Sequence, residues 1–155
     1  MKKKLFVILL LSLVITGCQT APVSTKTPLE LQAIQSKEFE TSKKVAFAAT
    51  LSVLQDLGYI SDSASIETGL ITAKSPMQNK FVPFVGKVMT TIKVNAFVEE
   101  ITAGRTKVRV NFLDSRYVQN RNGRQEEERP IETPDKYQDF FSKVQQGIFL
   151  RKNLQ

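Results

Sequence analysis

The sequence predicts an α+β domain of two layers, in which two helices pack on one face of an antiparallel sheet of four to five strands. Two segments carry apolar residues at a helical period, and several others alternate apolar and polar residues. These segments run in the order strand, helix, three or four strands, helix, which is typical of helices segregated to one face of a sheet. We find no internal repeat, and we expect a single domain over residues 31–155.

The first half of the domain supplies a strand, a helix and a strand pair. Residues 31–40 show no helical face and are predicted as a strand. Residues 43–57 are predicted as a helix with a clustered apolar side, and Gly58 follows as a residue suited to the left-handed C′ position. Strands are predicted at 59–67 and 70–75, on either side of a Thr-Gly turn.

The clearest strand signal is a hairpin formed by residues 88–98 and 107–112. A two-residue turn at Ala103-Gly104 would pair Val98 with an arginine and bury a charge. A three-residue loop ending at Gly104 pairs Val98 with Val108 and keeps every apolar residue on one face, because a one-residue slip would reverse the faces. We therefore predict the three-residue loop.

The C-terminal part is predicted as a loop and a helix. Residues 116–135 are polar, charged and rich in turn formers, so they are expected to form a long exposed loop. The next segment, 134–154, has apolar side chains at i, i+3, i+4, i+7 and i+11, which is the pattern of an amphipathic helix. Those side chains are Tyr137, Phe140, Phe141, Val144 and Ile148.

The N-terminus is predicted as an export signal. Three lysines precede an eleven-residue apolar stretch at residues 5–15, which is too short to span a bilayer because a spanning helix needs about 20 residues. Residues 1–17 are therefore expected to be removed. The sequence Ile15-Thr16-Gly17-Cys18 resembles the lipobox of bacterial lipoproteins, and the resemblance implies that Cys18 accepts the lipid. An ordinary signal followed by a free buried cysteine is the alternative.

The lipoprotein resemblance also implies a location. In that class an aspartate after the lipidated cysteine retains the protein in the inner membrane, and Gln19 stands there instead. We therefore expect an outer-membrane anchor facing the periplasm. Residues 18–30 contain two prolines and no apolar period, so they are predicted to be a flexible tether.

Charge and composition narrow the function classes. Loss of the three signal lysines leaves 19 basic and 15 acidic residues, a net charge of +4 that permits an anionic partner without requiring one. There is no histidine, and Cys18 is the only cysteine, so the usual general base and thiol nucleophile are missing. We expect no enzyme activity, no cofactor, no metal site and no nucleic-acid partner.

Four stretches, QSKEFET, VLQDLGYI, GLITAKS and KYQDFFSKVQQGIFL, resemble a family of uncharacterised lipoproteins from Gram-negative bacteria. The likeness covers nearly the whole mature domain and implies exposure to the periplasm, but no known activity. More loosely, the helix–LG–strand–G–strand pattern is similar to the helix-grip domains of the C lipoprotein of the outer-membrane β-barrel assembly machine. That likeness implies a scaffolding role and transfers no residue.

Two stretches are candidate contact surfaces. Lys93, Lys107 and Arg109 fall on the polar face of the predicted hairpin, where they form either a basic platform for an anionic partner or an ordinary solvated face. The second stretch, KFVPFVGKV (80–88), contains a proline and is predicted as a loop or an edge, because proline is excluded from central strands. It either folds back as a lid on the core or exposes an apolar patch. Its four apolar side chains are Phe81, Val82, Phe84 and Val85.

The function expected from these features is that of a lipid-anchored periplasmic binding or scaffolding module of the outer membrane, with an envelope protein as its partner. The alternative is a carrier of a small apolar ligand held between helix and sheet. A large cavity under the helices would favour the carrier, and a filled core would favour the binding module.

Overall fold

The computed structural model describes residues 26–120 and 123–153. The predicted signal at 1–17, Cys18 and the tether up to residue 25 lie outside the described residues. Within the described part the fold is α+β, as predicted, but it holds three helices and seven strands where two helices and four to five strands were expected.

The helices are α1 (Pro28–Gln35), α2 (Lys43–Asp56) and α3 (Pro134–Asn153). The strands are β1 (Ser36–Phe39), β2 (Ile60–Ser65), β3 (Leu70–Lys74), β4 (Gln78–Val82), β5 (Gly86–Thr102), β6 (Arg105–Asn120) and β7 (Gly123–Pro130).

All strand pairs are antiparallel, and the two long strands β5 and β6 run through the whole sheet. At one end the strand order is β1-β6-β5-β3-β2, while at the other end β4 lies beside β5 and β7 lies beside β6. We call the first end, with the three helices, the body. We call the second end the arm: it consists of β4, β7 and the segments 86–92 and 114–120 of the long strands.

The core lies between the helices and one face of the body. Val94, Val98 and Val110 are at most 1% exposed, whereas their neighbours in sequence point to the opposite face. The five apolar side chains predicted on the last helix are all buried, as expected. Where α2 and α3 cross, a Cβ on Gly147 would lie 3.4 Å from the Ala49 Cβ, so the small residue allows the two helices to pack closely.

The predicted hairpin register is confirmed. Val98 pairs with Val108, and Glu99 pairs with Lys107 on the other face. The predicted three-residue loop is wrong, because the turn has two residues, Ala103 and Gly104. Ile101 forms a bulge that shifts the pairing by one residue, so Val98 still lies opposite Val108. Gly104 takes the expected left-handed conformation, with φ of 76°.

Residues 31–40 do not form the single strand that was predicted. The first half of the segment belongs to α1, which ends at Gln35, and β1 follows from Ser36 to Phe39. Thr27 accepts a hydrogen bond from the Glu30 backbone, and the Glu30 carboxylate accepts one from the Thr27 backbone, so the two form a capping box. Because Pro28 occupies the first helical position, the helix also includes residues 28–30, which had been assigned to the tether.

The predicted loop at 116–135 is wrong as well. The segment completes β6 and then forms β7, which pairs with β6 from Leu113–Pro130 to Asn120–Gly123. A charged sequence forms a strand here because β7 lies at a solvated edge, where Arg116 is paired with Glu127 across the strands.

Candidate functional site

The turn between β4 and β5 lies at the far end of the arm. The Val85 backbone N–H donates to the Val82 carbonyl at 3.2 Å, which closes a β-turn over Pro83 and Phe84. Proline at the second position and a positive φ at the third define a type II turn. That third position prefers glycine, yet it is occupied by Phe84 with φ of 65°. We call residues 80–87 the tip.

The tip exposes its apolar side chains. Phe84 is fully exposed and Phe81 is 74% exposed, so the core-lid interpretation of this stretch is wrong. The prediction of an edge is confirmed, since β4 pairs only with β5 among the described strands. Val85 is 37% exposed and Val82 is half-buried. A cluster of exposed apolar side chains of this kind is a candidate contact surface.

The tip carries positive charge only. Lys80 and Lys87 are exposed on either side of the turn, and no acidic residue occurs between Glu67 and Glu99 in the sequence. Phe81 pairs with Lys87 across the hairpin, so an aromatic ring and an ammonium group share one face. Two lysines therefore flank an apolar stretch at an exposed turn.

Backbone strain accompanies this exposure. A bulky residue in the left-handed region costs about 1–2 kcal/mol relative to the usual conformations. Phe84 has no buried contact to offset this cost, because its side chain is fully exposed. The fold therefore presents the ring at the apex without any gain in packing.

The predicted basic residues on the open face of the sheet have acidic neighbours. The Lys93 Nζ lies 3.2 Å from a Glu126 oxygen and 2.5 Å from a Glu128 oxygen. It also lies 5.8 Å from the centre of the Tyr117 ring. Lys93 thus ties β5 to β7 across β6, and its charge is balanced locally.

These contacts also change proton affinities. The hydrogen bond from Lys93 and a second one from Ser115 hold the pKa of the Glu128 carboxyl below its usual value. The pKa of Glu126 is lowered by its hydrogen bond with Tyr117 and then by Lys93. In turn, the hydrogen bond to Glu128 raises the pKa of Lys93.

The structure does not bring Lys107 and Arg109 close to Lys93. In the strand register, Lys107 lies opposite Glu99 on β5 and opposite Glu38 on β1. Arg109 is exposed and lies opposite Phe97. Because Lys93 pairs with Leu113, four residues beyond Arg109, the two cations are about 13 Å apart along the sheet. Their role as a joint anion contact stays a prediction.

A groove of about 380 Å³ lies on the same open face. Ile60 and Met77 are apolar and more than half exposed at this groove, and Lys74 pairs with Asp62 at 2.7 Å beside them. Sequence reasoning did not identify this groove, because its residues come from β2, β3, β5, β6 and the β3–β4 connection.

The space between helices and sheet is filled by side chains. The Phe112 ring centre lies 5.3 Å from that of Tyr137 and 5.6 Å from that of Phe140, in edge-to-face contacts. A cavity of about 220 Å³ at the rim of this layer is lined by Leu57 and Tyr59, among others. Ligand pockets are commonly about 300–1,000 Å³, so the rim cavity is small for a ligand.

Two further properties concern the described residues only. Within 26–120 and 123–153, no group of three or more histidine, cysteine, aspartate or glutamate side chains is arranged to hold a metal ion. None of the described helices combines the length and the apolar character needed to cross a bilayer.

No family model matches the sequence, and no curated protein matches it either. A solved structure of a DUF4468 family protein from Bacteroides ovatus is similar in fold, with 11% sequence identity and a TM-score of 0.40. The match covers 73% of this chain and 84% of that one. At this level of similarity the match carries no argument about function.

Proposed function

We propose that this chain is a lipid-anchored module on the periplasmic side of the outer membrane, which acts by binding or scaffolding within the envelope rather than by catalysis. Cys18 provides the lipid attachment, and Gln19 accords with outer-membrane sorting in the lipoprotein class. With the thiol acylated and histidine absent, binding is the activity that the side chains support best.

The observation that carries the proposal is the tip. An exposed phenylalanine in a left-handed conformation at the apex of a hairpin costs stability and buries nothing. Strain of this kind is typical of segments that contact a partner. The packed layer beneath the helices supports a binding module over a ligand carrier.

A cysteine scan of the tip tests the binding surface in the native membrane. Once Cys18 is acylated, a Phe84→Cys variant of the full chain has one free thiol. We expect this thiol to react with a membrane-impermeant maleimide at least tenfold more slowly in isolated outer membranes than after detergent solubilisation. Phe149→Cys is the matched control, because Phe149 is 63% exposed on α3. Equal labelling of the two thiols in membranes would refute the tip as a contact surface.

The anchor has a separate test. Mass spectrometry of the mature N-terminus is expected to show Cys18 as the first residue, carrying diacylglycerol and an amide-linked acyl chain. A Cys18→Ser variant should remain an unprocessed precursor, since the serine hydroxyl is a far weaker nucleophile than the thiolate. An unmodified cysteine at the mature N-terminus would contradict the anchor.

A further inference from the structure

We propose that the tip binds the surface of an anionic phospholipid bilayer, so that the domain is held to its membrane at two points. The inference rests on the proposed lipid anchor, and it names the partner of the proposed contact surface. Three observations carry it: the composition of the tip, its convex shape, and its distance from the start of the described chain.

The composition of the tip matches the bilayer interface. Phe81 and Phe84 supply apolar rings, and the exposed Lys80 and Lys87 supply positive charge. Side chains of these two kinds bind the interface together, because the rings enter the acyl boundary while ammonium groups stay among anionic headgroups. The acidic side chains of β7 nearest to the tip are engaged: Glu126 with Lys93, and Glu127 with Arg129.

The shape of the tip favours a bilayer over a protein. Phe84 projects from the apex of a turn, and Phe81 lies beside Lys87 on one face of the hairpin. A protein partner would need a preformed pocket for each ring, whereas a fluid interface accepts both rings without one. The exposed rings of Phe81 and Phe84 can therefore enter the interface together.

The tether is long enough for both attachments. The Lys26 Nζ donates to the Glu132 carbonyl at 2.8 Å, which places the start of the described chain just after β7. The Ile131 backbone N–H donates to the Phe112 carbonyl, so Glu132 lies at about the level of Asn111. From that level to Gln119, which pairs with Lys87 at the base of the tip, the strands cover about 26 Å. The eight residues from Cys18 to Lys26 reach at most about 28 Å, so the lipid and the tip can meet one membrane plane.

Tryptophan fluorescence tests the inference directly, because the chain contains no tryptophan. The full lipidated protein carrying Phe84→Trp is reconstituted into protein-free vesicles of phosphatidylethanolamine and phosphatidylglycerol. We expect a blue-shifted emission that brominated acyl chains quench by at least half. Phe149→Trp is the matched control: nearby Lys152 bonds the Glu40 carbonyl beside β1, about 40 Å along the sheet from the tip. Its emission should be neither shifted nor quenched.

A second variant tests the charge. Lys80→Gln with Lys87→Gln, added to Phe84→Trp, should reduce the quenching severalfold in vesicles with phosphatidylglycerol and leave it unchanged in vesicles of phosphatidylcholine alone. Equal quenching in both lipids for all variants would overturn the requirement for an anionic surface.

The outcomes separate this inference from the proposed function. An F84W emission that is unshifted and unquenched in vesicles overturns the bilayer as the partner. If the tip thiol is nevertheless protected in native outer membranes, the binding surface stands and its partner is an envelope protein. If the thiol is unprotected there as well, both proposals fail.

Discussion

The two ends of the β5–β6 hairpin differ in what covers them, although both are continuous antiparallel strand pairs. In the body, Val94, Val98 and Val110 lie under α2 and α3 and are almost completely buried. In the arm, the residues on the same face of the strands include Thr90 and Arg116, a cross-strand pair that keeps contact with solvent. The body is thus held by a large apolar core, whereas the arm buries only a few side chains and depends more on backbone pairing and charge pairs. Its buried side chains are Val88, Thr91, Ser115 and Tyr117.

This difference determines which residues can form a contact surface without loss of stability. A region stabilised by buried side chains loses stability when they change, because cavities and buried charges are costly. A region stabilised by its backbone ladder can present almost any side chain at its end. The tip is at the end of the second kind of region, and its exposed rings are therefore available for binding without weakening the core.

The largest effect is expected from a charge placed on the helix-covered face. Val98→Asp should lower the free energy of unfolding by about 3–5 kcal/mol. Val98 is 0% exposed, and the new aspartate carboxylate would be buried opposite Val108 without a partner. Thr90→Asp, on the same face of the same strand, should cost less than about 1 kcal/mol, since it lies opposite Arg116. Urea melts of both variants measure the contrast. Equal losses would mean that the arm is packed as tightly as the body.

The next effect compares two turn glycines with nearly equal backbone angles. Gly69 has φ of 77° and Gly104 has φ of 76°, but only at Gly69 would a Cβ lie 2.1 Å from the Val98 carbonyl oxygen. Gly104→Ala should cost about 1 kcal/mol from strain alone. Gly69→Ala should cost about 3 kcal/mol or more, because the backbone must also move. Thermal melts that rank the two variants in the reverse order would contradict the contact between the β2–β3 turn and β5.

The smallest effect concerns the charges of the arm and its pH dependence. The pKa of Glu128 is lowered in the folded state from a usual value of 4.5, so its ionised form stabilises the arm above about pH 4.5. That contribution is lost as the pH falls through the lowered pKa. We expect amide protection in β7 to decrease over this range before protection in the body does.

Substitution at Lys93 tests the cause. Lys93→Met should move the NMR titration midpoint of the Glu128 carboxyl upward toward 4.5, since the hydrogen bond from Lys93 is the main cause of the shift. Lys74→Met removes the ion pair with Asp62 instead and should leave the Glu128 midpoint unchanged. A wild-type midpoint at or above 4.5 would show that the pair between Lys93 and Glu128 does not form in solution.

The parts of the fold that could be predicted are those where burial imposes a period. The register of β5 against β6 followed from keeping Val98 away from Arg109, and the last helix followed from five apolar positions. β7 could not be predicted from its own composition, because an edge strand with both faces solvated carries no apolar alternation. It is specified by its pairing with β6 and by the contacts of its glutamates with Lys93 on β5, neither of which is visible in residues 123–130 alone.

The start of α1 had a signal in the sequence, whereas the conformation of the tip had none. Thr27 and Glu30 stand at capping-box spacing around a proline, which predicts the start of α1. At the tip, Pro83 followed by Phe84 indicates a turn, but nothing in the residue type indicates a positive φ at phenylalanine, because most turns of this type place glycine there. The exposure of the rings depended on the absence of helix cover over the arm, which only the assembled fold reveals.

The left-handed phenylalanine at position 84 has a consequence for engineering. A selection for thermal stability alone would favour glycine or asparagine at this position, since both tolerate the conformation at lower cost. Proteins gain stability easily at such sites, and the recurrent penalty is lost activity. A library varied at residue 84 and sorted separately for folding and for residence on the membrane should therefore enrich opposite residues: small ones in the first sort and aromatic ones in the second.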